Sequence, residues 1–158
     1  MGIRRFLKDI VTSDTTRQMR FIAGPRQCGK TTLARGILDA HQCGSYYYNW
    51  DLRQTRERYR QDANFVDADR LSNGNPALIW ACFDEIHKYP KWKNILKGFF
   101  DSHEATVRLL VTGSAKLDLF RNAGDSLAGR YFLYRLNPFI LPEICNRSMD
   151  YILPASSA

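Results

Sequence analysis

The chain has 158 residues, of which 44% are hydrophobic and 25% are charged. These values are ordinary for one folded domain, and they exclude a disordered or collagen-like chain. The longest apolar run, residues 77–83, is far shorter than the ~20 residues that a membrane helix needs. No signal-peptide pattern is present, so we expect a cytoplasmic protein without a membrane partner. The net charge of +7 favours polyanionic partners such as nucleotides, nucleic acid or acidic protein surfaces.

Periodicity predicts alternating helices and strands along the chain. The predicted order is helix 3–11, strand 18–23, helix 30–40, strand 46–48, helix 52–61, loop 72–76, strand 77–83, helix 91–102, strand 107–112, helix 115–121, loop 124–129 and strand 131–136. The apolar strands lack polar alternation, as in a parallel sheet covered on both faces. We therefore predict a three-layer α/β domain over residues 1–145 and a short tail over 146–158, with ligands at the carboxyl ends of the strands.

Residues 24–31 read GPRQCGKT, which matches the phosphate-loop pattern G-x-x-x-x-G-K-[ST] between a predicted strand and a predicted helix. Gly24 and Gly29 let the backbone curl until its amide N–H groups point at phosphate oxygens. We expect Lys30 to reach the β- and γ-phosphates of a nucleotide and the Thr31 hydroxyl to coordinate Mg²⁺. The alternative is a chance glycine-rich turn between a strand and a helix.

The other loop residues have weaker assignments. Thr32 is expected near the α-phosphate, and Arg26 is expected to face solvent. Cys28 is either a thiol with a lowered pKa at a helix start or a small residue that faces away from the ligand, and we favour the second interpretation. The predicted nucleotide-binding residues are Gly24, Pro25, Arg26, Gln27, Cys28, Gly29, Lys30, Thr31, Thr32 and Asp84.

Two acidic residues, Asp84 and Glu85, follow the apolar strand 77–83 directly, as in a Walker B motif. Asp84, together with Thr31, is predicted to hold Mg²⁺ through its water shell. Glu85 is predicted to orient and deprotonate the water that attacks the γ-phosphate. The alternative is an acid-capped turn at a strand end. For His87 we favour packing or hydrogen bonding over catalysis.

Two further positions are candidate catalytic residues. Strand 107–112 ends at Thr112-Gly113-Ser114, where a hydroxyl could sense the γ-phosphate; Ser114 is the first choice and Thr112 the second. An ordinary Gly-Ser turn is the alternative. Arg130 could neutralise charge on the transferring phosphoryl group, from the same chain or from a neighbour, or it could be a surface arginine.

Four segments together resemble one known family: GPRQCGKTTL, ALIWACFDEIHKYPKWKNIL, LLVTGSAKLDLF and DSLAGRYFLYRLNPF. They look like the AAA-type ATPase domain of a prokaryotic family of predicted ATPases, over about residues 15–145. The resemblance implies a P-loop fold whose parallel strands run in the order 5-1-4-3-2. By residue match it implies Mg-ATP binding by Lys30, Thr31 and Asp84, hydrolysis through Glu85 and phosphate sensing by Ser114.

The chain departs from that family in two places. Cys28 stands where a small aliphatic residue is usual. Family members usually continue into a C-terminal domain of unknown function, and this chain stops soon after the LNPF segment. We therefore expect residues 146–158 to be the start of a missing region.

An Mg-dependent ATPase core is the leading functional hypothesis. A module that binds ATP with little hydrolysis is the first alternative. The second is nucleic-acid binding through helix 53–60, whose arginines also fit a solvated helix; they are Arg53, Arg56, Arg58 and Arg60, with Tyr59 among them. A small-molecule kinase fits the DE pair less well, and the absence of an NKxD motif favours ATP over GTP. A homo-oligomer or a protein client is compatible with every one of these hypotheses.

Overall fold

The computed structural model of the protein describes residues 5–114 and 127–145. Its strands are β1 (Met19–Ala23), β2 (Tyr47–Asn49), β3 (Ile79–Asp84), β4 (Val107–Gly113) and β5 (Tyr131–Arg135). Its α-helices are α1 (Phe6–Ser13), α2 (Lys30–Ala40), α3 (Arg53–Gln61), α4 (Phe65–Ser72), α5 (Trp92–His103) and α6 (Leu141–Ile144), and single 3₁₀ turns cover Gly44–Tyr46 and Ile86–Lys88. The predicted helix 115–121 and the predicted tail 146–158 lie outside the described residues.

The five described strands form one parallel sheet in the order β2-β3-β4-β1-β5. This is the predicted order 5-1-4-3-2 read from the opposite edge, so the predicted fold is confirmed. The central strand β4 pairs with β1 on one side and with β3 on the other. Because parallel strands all end at the same edge, the segments that follow β1, β3 and β4 meet there.

Helices cover both faces of the sheet, which makes three layers. Every residue of β3 is buried, and its side chains alternate between the two faces. On one face Trp80 stacks on His41, the residue after α2, with ring centroids 4.9 Å apart. On the other face Phe83 contacts Phe99 of α5 with centroids 5.0 Å apart. This double burial explains why the strand reads as an unbroken apolar run.

The sequence analysis missed helix α4, which occupies residues it left unassigned. Only Phe65 and Val66 of α4 are buried, so its apolar pattern is too short to stand out in the sequence. The Phe65 ring packs edge-on against Tyr48 of β2 at 4.8 Å and lies parallel to Phe83 at 6.3 Å. Tertiary packing of one aromatic ring therefore holds this helix against the sheet.

The described residues also bear on thiols, metals and membranes. All four cysteines are free; Cys28, Cys43 and Cys82 are buried, whereas Cys145 is exposed. Within 5–114 and 127–145, no group of three or more His, Cys, Asp and Glu side chains is arranged to hold a metal ion. In that same part of the chain no helix has the length and apolar character needed to span a bilayer.

A buried arginine closes the connection between α1 and β1. Arg20 of β1 is fully buried, and burial lowers the pKa of its guanidinium. The guanidinium donates hydrogen bonds to the backbone carbonyls of Gln18 at 2.7 Å, Asp14 at 2.6 Å and Thr16 at 2.9 Å. It also donates to the carbonyl of Val11 at 3.4 Å. The Arg20 side chain thus supplies donors to backbone carbonyls at the end of α1 and in the loop that connects α1 to β1.

Arg20→Met should lower the free energy of unfolding by about 3 kcal/mol, because it leaves several inward-facing carbonyls without a donor. Urea unfolding followed by circular dichroism measures this. Arg17→Met is the matched control, since Arg17 is exposed and its ion pair with Glu104 is 3.8 Å long; it should cost less than about 1 kcal/mol. Equal unfolding midpoints for the two variants would contradict this account of Arg20.

Candidate functional site

The segment between β1 and α2 is a tightly curled loop. Gln27 and Gly29 both have left-handed backbones, with φ of 61° and 94°. Gly24 is required by space, because a Cβ atom there would lie 2.2 Å from the backbone oxygen of Leu136. The Leu136 amide in turn donates to the Ala23 carbonyl at 2.8 Å, which holds the end of β5 against the loop. The two glycines of the pattern therefore serve different needs: close approach at Gly24 and positive φ at Gly29.

Lys30 places its charge inside this loop. The side chain is only 8% exposed, and its Nζ donates to the carbonyls of Gly24 at 3.0 Å and Pro25 at 2.6 Å. The Sγ atom of Cys28 lies 3.9 Å from the same nitrogen, so this thiol lies within the loop. Arg26 is exposed, as expected. The loop thus concentrates positive charge at its centre, which is what an anion requires.

The carboxylate of Asp84 is the meeting point of the site. It is 3% exposed, and the Thr31 hydroxyl of α2 donates to its Oδ2 at 3.0 Å. The Thr112 hydroxyl of β4 donates to Oδ1, and the Tyr47 hydroxyl of β2 donates to Oδ2. Three elements thus supply donors to one buried anion, which offsets the cost of its burial. The structure therefore brings the glycine-rich loop and the DE pair together, as the sequence predicted.

Tyr47 is a residue of the site that sequence reasoning missed. It was assigned only to a strand, on aromatic content. Its ring lies under the guanidinium of Arg35, 4.2 Å from the ring centre. Burial, together with the hydrogen bond to Asp84, raises the pKa of Tyr47 far above its usual value. The phenol therefore stays protonated and remains a hydrogen-bond donor throughout the physiological pH range.

Glu85 leaves the sheet in a left-handed conformation, with φ of 61°. Its amide donates to the Thr112 carbonyl at 3.0 Å, which fixes the backbone against β4. Its Oε2 atom lies 3.1 Å from Nζ of Lys88, and the same ammonium lies 2.6 Å from Asp51. These acidic partners, the hydrogen bond to Asp51 first, raise the pKa of Lys88. The Glu85 carboxylate is therefore already engaged in an ion pair at the edge of the sheet.

Ser114 and His87 also meet at this edge. The Ser114 hydroxyl lies 3.3 Å from Nε2 of His87, and the same nitrogen lies 3.8 Å from the Glu85 carboxylate. The hydrogen-bonding role favoured for His87 agrees with this contact. Ser114, His87 and Glu85 thus form one polar cluster beside Asp84, at the ends of two neighbouring strands.

The structure does not bring Arg130 to the site of its own chain. Its carbonyl accepts from the Met19 amide at 2.8 Å, so Arg130 lies at the amino edge of the sheet. The full length of β1, about 13 Å, separates that edge from the glycine-rich loop. The guanidinium pairs with Asp101 of α5 at 2.8 Å. This placement argues against a catalytic role within one chain, because the parallel strand that follows Arg130 starts at the opposite edge from the loop.

A second ion pair, also missed from the sequence, supports the glycine-rich loop from behind. The buried Arg5 donates to the backbone oxygens of Cys28 and, at 3.0 Å, Asn137. It also pairs with Glu143 at 2.8 Å, and Glu143 accepts from the Phe6 amide at 3.1 Å. Arg5 and Glu143 are 138 positions apart in the chain, so no local sequence pattern predicts their contact. The pair links the first helix, the loop and the segment after β5.

A cavity of about 730 Å³ adjoins the loop on its outer side. Pro25 and Cys28 of the loop, Thr32 and Leu33 of α2, and Phe139 form part of its wall. The Phe139 ring stacks on the Arg5 guanidinium at 3.9 Å. An apolar cavity of this volume with polar groups at one end has the character of a small-molecule site.

The basic helix predicted from the sequence is α3, and three of its four arginines have partners within the chain. Arg53 pairs with Glu57 at 2.6 Å and Arg58 with Asp69 at 2.7 Å. Arg56 donates to the backbone oxygen of Trp50 at 3.1 Å. The helix therefore does not present a row of four unpaired cations.

A family model described as an AAA domain matches residues 16–145. The chain belongs to this AAA domain family. It is therefore a nucleotide-binding domain of the ATPase type. Two mycobacterial proteins, Uncharacterized protein Mb2031c of Mycobacterium bovis and Uncharacterized protein Rv2008c of Mycobacterium tuberculosis, are each 31% identical to it over 134 residues. The alignment covers 82% of this chain and 27% of each relative, so the chain spans about a quarter of their length.

Solved structures share the fold at low sequence identity. The match to the C. elegans protein PCH-2 covers 82% of this chain and 38% of the PCH-2 chain, with a TM-score of 0.52 at 15% identity. The match to the Aeropyrum pernix ORC1 protein, solved in complex with DNA, covers 90% of this chain and 45% of the ORC1 chain, with a TM-score of 0.57 at 16% identity. These likenesses establish the parallel five-stranded architecture.

Tyr47→Phe should lower the free energy of unfolding by about 2 kcal/mol, because it removes one of the three donors to the buried Asp84 carboxylate. Urea unfolding with circular dichroism measures the loss. Tyr46→Phe is a matched control one residue away, since the Tyr46 hydroxyl is buried without a hydrogen-bond partner in the described structure. Its removal should be neutral or stabilising. An equal loss in both variants would show that the Tyr47 hydroxyl contributes nothing specific.

Proposed function

We propose that this domain binds Mg-ATP at the edge where the loop and Asp84 meet. Lys30 holds the β- and γ-phosphates, and its ammonium exchanges the carbonyls of Gly24 and Pro25 for phosphate oxygens. The loop residues that follow Pro25, which itself has no N–H, supply backbone donors to the phosphates. The single observation that carries the proposal is the 3.0 Å hydrogen bond between Thr31 and Asp84. It joins residues 53 positions apart in the chain at the centre of the site.

The donors at this point fit magnesium. Mg²⁺ prefers hard oxygen ligands and keeps several waters, binding through one or two protein groups plus substrate phosphates. Thr31 supplies a hydroxyl and Asp84 a carboxylate, and the two oxygens are already in contact. When bound, the ion neutralises charge that develops on the phosphate oxygens. Thr31 and Asp84 would hold it, and Tyr47 and Thr112 would keep the Asp84 carboxylate oriented.

The cavity beside the loop is the proposed site of the nucleoside. Thr32 lies at its border, in keeping with a position near the α-phosphate. Leu33 and Phe139 offer apolar contacts to a purine ring, and the cavity of about 730 Å³ has room for it. Binding of the base there would continue directly from phosphates held in the loop.

For hydrolysis we propose Glu85 as the general base and Ser114 as the γ-phosphate sensor. Glu85 lies next to Asp84 but on the solvent side of the edge, where a water can reach it. Its ion pair with Lys88 must open before the carboxylate can accept a proton, and Ser114 must exchange His87 for phosphate. A domain that binds ATP with little hydrolysis is the alternative, and the same ion pair favours it.

Arg130 is proposed to act only between neighbouring chains. Its position at the amino edge, paired with Asp101, leaves a role at the nucleotide of another copy. Such a role requires an oligomer.

Lys30→Ala should weaken nucleotide binding by at least about 100-fold, because it removes the charge inside the loop. Fluorescence anisotropy of a labelled ATP analogue measures the dissociation constant. Arg26→Ala is the matched control: it removes an exposed cation from the same loop and should change affinity less than about threefold. If both variants bind as tightly as the parent protein, the loop is not the phosphate site.

Glu85→Gln should retain nucleotide affinity within about threefold and lose at least about 100-fold in phosphate release, because the amide cannot accept the proton from water. Single-turnover phosphate release measures the chemical step. Glu104→Gln, a neutralised carboxylate at the opposite edge of the sheet, should leave the rate unchanged. Equal release from Glu85→Gln and the parent protein would remove Glu85 from the role of base. Tight binding with no release from the parent protein would establish the binding-module alternative.

A further inference from the structure

A groove between the end of α3 and the start of α5 combines aromatic rings with positive charge. It is lined by Tyr59, Arg60, Tyr89, Pro90, Lys91 and Ile95 and has a volume of about 300 Å³. We refer to these six residues as the tyrosine groove. It lies on the face of the sheet that α3 and α5 cover, away from α2 and the glycine-rich loop.

The two tyrosine rings are held in place by the buried Trp50 side chain. Their centroids are 6.2 Å apart and their planes are nearly perpendicular, at 82°. Both pack on the buried Trp50, at 5.4 Å for Tyr59 and 5.3 Å for Tyr89. Each tyrosine is only partly buried, so part of each ring remains available to a ligand. A pre-positioned ring loses little conformational entropy when a ligand stacks on it.

Among the described residues, the cations of the groove have no acidic partner. Arg60 and Lys91 are exposed, and neither makes an ion pair with any residue in the described part of the chain. Of the nearby carboxylates, Asp51 pairs with Lys88 at 2.6 Å, and Asp62 accepts a hydrogen bond from the Asn64 amide at 2.8 Å. The chain as a whole carries +7. The groove therefore offers two available positive charges on a basic molecule.

The start of α5 adds to this field. Lys91 is the N-cap of that twelve-residue helix and has a left-handed backbone with φ of 58°. The positive end of the helix dipole therefore lies at Lys91, a residue that lines the groove. Both contributions favour an anion that runs along the groove between Arg60 and Lys91.

We propose that the tyrosine groove binds single-stranded nucleic acid, with a base stacked on Tyr59 or Tyr89 and flanking phosphates on Arg60 and Lys91. Exposed aromatic rings beside cations are the features by which proteins hold unpaired strands without sequence preference. An acidic peptide would use the cations but not the ring faces, and a duplex hides its base faces. The proposed site differs from the arginine row of α3, because half of it comes from the segment that precedes α5.

The test is fluorescence anisotropy of a labelled oligothymidylate of about 15 nucleotides, in the absence of ATP and over a series of salt concentrations. The double variant Arg60→Gln, Lys91→Gln should bind at least about tenfold more weakly at low salt and reduce the salt slope by about 1.4, since each lost phosphate contact removes about 0.7. Arg17→Gln with Lys97→Gln, the same charge change at two exposed positions outside the groove, should change affinity less than about twofold. Equal loss in both pairs would indicate non-specific attraction to net charge and overturn the proposal.

The tyrosines separate an unpaired strand from other polyanions. Tyr89→Leu should weaken oligothymidylate binding about tenfold while Tyr89→Trp preserves it, because tryptophan keeps a stacking face. Neither change should alter binding of polyglutamate or of a duplex of equal length. Should Tyr89→Leu unfold, as circular dichroism would show, the Arg60 and Lys91 pair decides the question. Absence of oligothymidylate binding to the parent protein, or duplex or polyglutamate binding of equal strength, overturns the proposal. Anisotropy of labelled ATP is measured with the same variants. Unchanged ATP affinity together with weaker oligothymidylate binding assigns the effect to the tyrosine groove, whereas loss of both indicates damage to the nucleotide site.

Discussion

A single buried carboxylate organises the nucleotide-binding edge of this domain. Asp84 ends a strand that is covered on both faces, so water cannot solvate its charge. Hydroxyls from α2, β4 and β2 replace that water. Each of these hydroxyls donates to one of the two Asp84 carboxylate oxygens. The carboxylate therefore connects α2 to the two strands that flank β3. Disturbing any of the three contacts therefore affects both the stability of the sheet and the geometry proposed for Mg-ATP.

Positive charge on this molecule serves two different ends. Arg20 and Arg5 are buried and donate mainly to backbone carbonyls, so they act as structural cross-links. Lys30 also donates to carbonyls, but both of them belong to the glycine-rich loop that we propose as the phosphate site. In that proposal the Lys30 ammonium exchanges these carbonyls for phosphate oxygens, whereas the carbonyls that Arg20 holds lie in the connection between α1 and β1.

Much of the fold and about half of the site follow from local patterns. Helix 30–40 lies where hydrophobic periodicity predicts it, and strand β3 overlaps the unbroken apolar run that precedes the DE pair, because both patterns are long enough to stand out in the sequence. The helix at Phe65–Ser72 does not, since only two of its residues are buried. The spacing of the glycine-rich loop predicts Lys30 and Thr31 because its chemistry depends on neighbours in the chain.

The amino-acid sequence by itself determined the family, the parallel α/β class and the pairing of a phosphate loop with a DE strand end, since each follows from short motifs and local periodicities taken in chain order. Only the tertiary structure decided that Tyr47 donates to Asp84, that Arg5 pairs with Glu143, and that Arg130 lies at the far edge. These depend on the register between strands and on the direction in which a strand enters the sheet. Neither quantity is encoded within a short window of sequence, because both arise from burial summed over the whole chain.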